Sequence, residues 1–204
     1  MANNGIGVAG VCWHVSLMAV KAFDENGNGD VATAIRGIHY AIENGVRIIN
    51  ASWGNTERSR ALEDVIAEAY RAGVLFVAAA GNNNSDALFY PAACDHVVAV
   101  GATDAQDRRA RFSDFGAYVD GPRRARILTR RCQTTPTVLQ RHVDGRPGHV
   151  SGMAALVLSH HPEFTPDQKI NFAQLDRCYC HGQVYRHGTH QCCLRRSGQR
   201  ACSK

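Results

Sequence analysis

Short apolar runs and amphipathic stretches alternate over the first 120 residues of the chain. Residues 15–23 form a brief apolar run that predicts a strand. A polar turn follows at 24–30, rich in Asp, Asn and Gly, the residues that tolerate positive φ. Residues 31–44 have helical spacing, with Ile35, Ile38 and Ile42 on one face, and Gly45 stops the helix. Residues 46–52 predict a second strand. Residues 59–72 predict a helix with Leu62, Val65, Ile66 and Ala69 turned inward, ended by Gly73. The run at 74–80 is apolar throughout, as expected of a strand at the centre of a parallel sheet, and 96–102 reads as another strand. Strands alternating with helices of this length predict βαβ units and parallel pairing of the strands near 15–22, 46–52, 74–80 and 97–102.

After residue 120 the pattern fails. Residues 121–147 have no period and are rich in Arg; 149–159 restore an apolar helix; from 171 the text is polar and cysteine-rich. Apolar residues in 121–147 and 171–204 are too scattered to offset an ordering cost of about 1–2 kcal/mol per residue, so both segments are expected to be irregular and exposed. The domain reading is a partial α/β domain over 1–170, aberrant at 121–147, and an irregular Cys/Arg-rich tail over 171–204.

Charge and cysteine change at the same place. Residues 1–120 carry 9 Lys+Arg against 14 Asp+Glu, a net of −5, and residues 121–204 carry 14 against 4, a net of +10. Cys12 and Cys94 lie in the first part, and Cys132, Cys178, Cys180, Cys192, Cys193 and Cys202 in the second. A shift this sharp marks a second module or a change in the origin of the sequence. No apolar run approaches the roughly 18 residues of a membrane span. Met1 is followed by a polar stretch, so no signal peptide is expected at the start of the chain. No strand runs into a Gly-x-Gly-x-x-Gly or Walker loop, which argues against a nucleotide-binding α/β domain.

Several segments together resemble the subtilisin-like serine peptidases (family S8, the subtilases). They are Asn3-Asn-Gly-Ile-Gly-Val-Ala-Gly-Val11, Ile49-Asn-Ala-Ser-Trp-Gly54, Val77-Ala-Ala-Ala-Gly-Asn82, Val97-Val-Ala-Val-Gly-Ala-Thr-Asp104 with Phe112-Ser-Asp-Phe-Gly116, and His149-Val-Ser-Gly-Met-Ala-Ala-Leu156 with His161-Pro162. Each is weak alone, and their order and spacing carry the resemblance over about 2–120 and 147–170. It implies a three-layer α/β/α fold with a mostly parallel sheet, incomplete at its N-terminal edge. The parent family hydrolyses peptide bonds through an acyl-enzyme, so the implied partner is a protein or peptide substrate. The chain is expected to be a monomer with no nucleic-acid or membrane partner. The family is mostly secreted, and nothing in this chain fixes its compartment.

The resemblance makes Asn82, on the turn after a buried strand, the oxyanion stabiliser. An amide donor placed where charge develops on the scissile carbonyl lowers the barrier by about 2.7–4 kcal/mol. Without the resemblance Asn82 reads as a turn asparagine. Ser52, Trp53 and Gly54, with Gly81, would line the substrate groove and pair with an extended peptide backbone; their plain alternative is a buried strand end.

The pattern also departs from the family. The triad needs Asp, His and Ser, and the first two precede the loop with which this chain begins. Asp24 and Asp30 read as solvated turn acids. The serine motif is due directly before His149, where the chain reads Arg141-His-Val-Asp-Gly-Arg-Pro147. One permitted codon choice for that peptide, read one base later, encodes Gly-Thr-Ser-Met-Ala-Ala, which implies a frameshift across 121–147 and a second after Ile170. Ser151 is no substitute, lying a turn into the helix. As written, then, the chain is expected to be inactive. The alternative is a non-catalytic basic or zinc-binding module built on Cys178, Cys180, His181, His187, His190, Cys192 and Cys193, but Cys-x-Cys and Cys-Cys do not match the usual zinc spacing. Calcium belongs to the parent family at most: Ala2, Asn4, Ile6 and Val8 match positions of a calcium-wrapping loop, and six to eight oxygens are needed. No cofactor is expected for this chain itself.

Overall fold

The computed structural model describes residues 10–103, 108–120, 127–129 and 146–170. By internal contacts the chain divides into 1–170 and 171–204, and only the first unit contains described residues. Its elements are helix α1 (Val31–Glu43), strand β1 (Ile48–Ala51), helix α2 (Arg60–Arg71), strands β2 (Leu75–Ala79) and β3 (Val97–Ala102), the short helix α3 (Ala117–Asp120), strand β4 (Ile127–Thr129), and helices α4 (Arg146–His160) and α5 (Pro166–Ile170).

The helix ends follow from local chemistry. The Asp30 carboxylate accepts from the Thr33 N–H at the start of α1, and the Ser59 hydroxyl accepts from the Leu62 N–H at the start of α2. Each satisfies a donor that the first helical turn leaves open. Both helices close in the same way: Val46 N–H donates to Ala41 O and Val74 N–H to Ala69 O, around Gly45 and Gly73 at φ of 72° and 81°. This closure favours glycine, which takes a positive φ without a β-carbon penalty. Ser59→Ala is expected to lower the unfolding free energy by about 1 kcal/mol, read as a lower urea midpoint at unchanged slope.

The four strands pair in parallel in the order β1-β2-β3-β4. The register places Ala51 beside Ala78 and Ala79 beside Val100, so the C-terminal ends of β1, β2 and β3 emerge together. Every residue of β2 and β3 is buried, as their unbroken apolar text predicts. Side chains alternate between the faces. Phe76, Ala78, Val97 and Ala99 join one cluster with Ile38 of α1 and Leu62, Val65, Ile66 and Ala69 of α2. Leu75, Val77, Val98 and Val100 alternate with them. They are buried on the opposite face, where α4 crosses all four strands and buries Val150 and Ala154. The result is the expected α/β/α sandwich.

Two expectations are corrected. Residues 15–23 form no strand. A strand needs a neighbour for its N–H and C=O groups. Among the described residues no strand pairs with this segment, and β1 ends the sheet without it. Val15, Leu17, Met18 and Val20 stay exposed, Leu17 to 89%. Nor is 121–147 irregular throughout. Residues 127–129 pair with β3, Ile127 beside Val100. Helix α4 starts at Arg146 rather than 149, with Pro147 fully buried. β3 offers an open backbone edge, so pairing there depends on hydrogen bonds rather than on side-chain pattern. Proline is well suited to the first turn of a helix.

Candidate active site

The carboxyl ends of parallel strands are where such folds gather functional groups. β1 leads into Ser52, Trp53 and Gly54, all partly exposed. The Asn50 amide donates to Ser52 Oγ at 2.9 Å, and the Ser151 hydroxyl of α4 donates to Asn50 Oδ1 at 3.1 Å. The sequence reading set Ser151 aside, and its place here is structural, steering Asn50 and through it Ser52. The Trp53 ring lies 5.9 Å from that of Phe23. Asn55 and Tyr90 then exchange both backbone hydrogen bonds, at 2.9 and 2.7 Å. This brings Phe89 against Gly54, where a methyl group would sit 2.5 Å from the ring and collide with Tyr90 O.

β2 leads into Ala80, Gly81 and Asn82. A methyl on Gly81 would lie 3.3 Å from the same Phe89 ring, so one side chain bridges the two strand ends. Gly54 and Gly81 thus share one aromatic neighbour, with Ser52 and Trp53 preceding the first glycine and Asn82 following the second. Asn82 is partly buried. Ala2, Asn4, Ile6 and Val8, and the cysteines and histidines of the tail, lie outside the described residues. Among the described residues no group of three or more His, Cys, Asp or Glu side chains could hold a metal ion.

The loop after β2 is held from below by residues 109–119. Asp114, only 2% exposed, accepts at Oδ1 from the Asn83 N–H at 2.7 Å and the Ser85 N–H at 3.0 Å. Its own N–H donates to Gly81 O at 3.1 Å, and Asn84 N–H donates to Phe112 O at 3.0 Å. Arg109 donates to Asn84 Oδ1 at 2.8 Å and to Ser113 O, and stacks its guanidinium 4.3 Å above the Phe115 ring. The Tyr118 hydroxyl donates to Ala80 O at 2.9 Å. Burial, with the nearby Asp114 and Asp86 carboxylates, holds that hydroxyl far above its ordinary range, so it stays a donor.

Phe89, Asp114 and Tyr118 were not among the residues singled out from sequence. The one legible signal was an acid between Ser113 and Phe115 in an otherwise aromatic motif. Its partners precede it by 29–31 residues, which no local pattern reports. The turn acids behave as expected. Asp24 is held below the usual carboxylate range chiefly by the Asn28 N–H, and Asp30 chiefly by the Thr33 hydroxyl. A separate open cavity of about 530 Å³ lies at the opposite end of the sheet, lined by Arg47, Tyr70, Arg71 and Asp167 among others. None of its lining residues belongs to 52–54 or 81–82.

A parallel sheet covered on both faces, with a glycine–asparagine loop beyond its central strands, defines an α/β domain whose chemistry sits at the strand ends. The subtilase family model, peptidase S8, matches residues 1–143, and the chain belongs to that family. It is 39% identical over 166 residues to a thermostable alkaline protease of Halalkalibacterium halodurans, covering 81% of this chain and 46% of that protein. It is 38% identical over 175 residues to subtilisin DY of Bacillus licheniformis, covering 83% and 63%. The chain therefore spans less than two thirds of either relative. A cold-adapted subtilisin-like serine proteinase of known structure superposes with a TM-score of 0.64 at 28% identity, over 74% of this chain and 56% of that one.

Proposed function

We propose that this chain carries the peptide groove and the oxyanion donor of a serine endopeptidase. The serine motif does not stand directly before His149, where the resemblance places it. The observation behind this reading is that two adjacent parallel strands end side by side, β1 before Ser52-Trp53-Gly54 and β2 before Gly81-Asn82, with Phe89 against both glycines. An extended peptide laid along 52–54 pairs with their backbone. Its carbonyl then points at the Asn82 amide, which stabilises the negative charge that acyl transfer develops there. Without a nucleophile and its base the donor has no attack to stabilise, so the chain binds peptide and does not cleave it.

The test has two arms. Trp13→Phe leaves Trp53 as the sole indole, and titration with an extended peptide is expected to change its emission. Incubation with peptide and ester substrates is expected to give no turnover above background. Turnover that survives purification and is blocked by a serine-directed phosphonate would overturn the inactive reading. An unchanged Trp53 signal at millimolar peptide would overturn the groove.

A further inference from the structure

We propose that Asp114 is the positioning residue of the oxyanion loop: it clamps the backbone on both sides of Asn82 and so fixes where the Asn82 amide points. The proposal rests on the groove reading above and adds to it the device that keeps the donor preorganised.

The geometry argues for a clamp rather than an incidental contact. A carboxylate that is 98% buried is costly unless its oxygens are well supplied with donors. Asp114 meets that need with the loop itself. Oδ1 takes the N–H groups of Asn83 and Ser85, at 2.7 and 3.0 Å, just after Asn82. Its backbone N–H takes Gly81 O, just before Asn82. The segment from Gly81 to Ser85 is thus wrapped around one residue, with Asn82 inside the clamped stretch. Oδ2 lies where a β-carbon on Gly81 would stand, at a φ of 113°. The acid therefore fits only opposite a glycine. Tyr118 adds an independent tether one residue earlier, at Ala80 O.

Preorganisation is what this clamp supplies. A donor that must reorient during the reaction loses much of its electrostatic benefit, and a fixed one does not. Asn83 and Ser85 retain access to solvent, so loss of the carboxylate lets water take their N–H groups. The loop then loosens without the sheet coming apart. This separates a positioning role from a purely structural one.

The experiment uses the full 204-residue chain, isotopically labelled, as wild type, Asp114→Ala and Asp114→Asn. Amide exchange is read at Asn83 and Ser85, and at Val77 and Val98 in the strands. Acetyl-tetra-alanine amide is the peptide probe, read at the Asn82 side-chain amide. In Asp114→Ala, exchange at Asn83 and Ser85 is expected to rise about ten- to a hundredfold, the scale of a lost hydrogen bond to a charged group. Val77 and Val98 should keep their rates, and the peptide shift at Asn82 should vanish. Asp114→Asn keeps an acceptor at the same place and should recover most of the protection, since charged hydrogen bonds are only roughly twice as strong as neutral ones. Unchanged exchange at Asn83 and Ser85 in Asp114→Ala overturns the clamp. So does an equal rise in the strands of both variants, which would make the acid a support of the whole fold. If wild type shows no peptide shift at Asn82, the groove reading falls, while the exchange contrast still decides the clamp.

Discussion

Phe76→Ala is expected to lower the unfolding free energy of this chain by about 3–5 kcal/mol, the range for removing a buried aromatic ring. Phe76 is 1% exposed in the middle of β2 and packs in one cluster with Leu62, Val65 and Ile66 of α2. Its neighbours on that face are Ala78 along β2, Val97 beside it on β3 and Ile49 beside it on β1. Ala78 is too short to fill the space that the ring leaves, and the β-branched Val97 and Ile49 are stiff at χ1, so much of the cavity should persist. A whole domain has only about 5–15 kcal/mol in hand, so a large share of the stability rests on this ring. Urea denaturation followed by circular dichroism reads the effect as a fall in midpoint. A loss below about 1 kcal/mol would mean that α2 does not dock on the sheet as described.

Gly81→Ala is expected to be the most damaging single methyl addition at the site. Two costs combine. The backbone stands at a φ of 113°, where an L-residue is strained by about 1–3 kcal/mol. The added methyl would also run into the Asp114 carboxylate and press on the Phe89 ring at 3.3 Å. To make room, Asp114 must give up hydrogen bonds to Asn83 and Ser85, each of the charged kind worth about 1.5–3 kcal/mol. Gly73→Ala is the control, with a similar positive φ of 81° and nothing within 4 Å of the new methyl. It should show the backbone cost alone, about 1–2 kcal/mol. The two variants are compared by denaturation and by the peptide-induced shift at Asn82. Gly81→Ala should lose both stability and the shift, and Gly73→Ala only a little stability. Equal losses in the two would mean that the contact with Asp114 is unimportant.

Much of the fold was legible because its causes are local. The boundaries of α1 and α2 follow from Asp30, Ser59, Gly45 and Gly73, whose capping chemistry acts within one turn. The apolar runs at 74–80 and 97–102 announced strands buried on both faces, and β2 and β3 are buried throughout. The apolar run at 15–23 looked equally convincing and makes no strand, because pairing depends on a neighbour that the run itself cannot provide. Residues 127–129 failed in the opposite sense. Their text carries no strand signal strong enough to stand out among the surrounding arginines, and the open edge of β3 makes the pair.

The candidate site divides along the same line. The sequence alone determined that the chain is a subtilase α/β domain, that Asn82 follows a buried strand, and that Ser52-Trp53-Gly54 ends another. Strand ends and turn glycines are written in consecutive residues. Only the tertiary structure decided that both strand ends meet over Phe89, that Asp114 carries the Gly81–Ser85 loop, and that Tyr118 secures Ala80. Apart from the short step from Gly81 to Phe89, these contacts join residues about 30 to 40 positions apart, through a parallel register in which each strand's partner is set by the intervening helix or loop. Periodicity reports which face of an element is apolar. It carries no record of which buried carboxylate will meet which backbone amide once the faces close, because that pairing arises from the packing of the whole sheet.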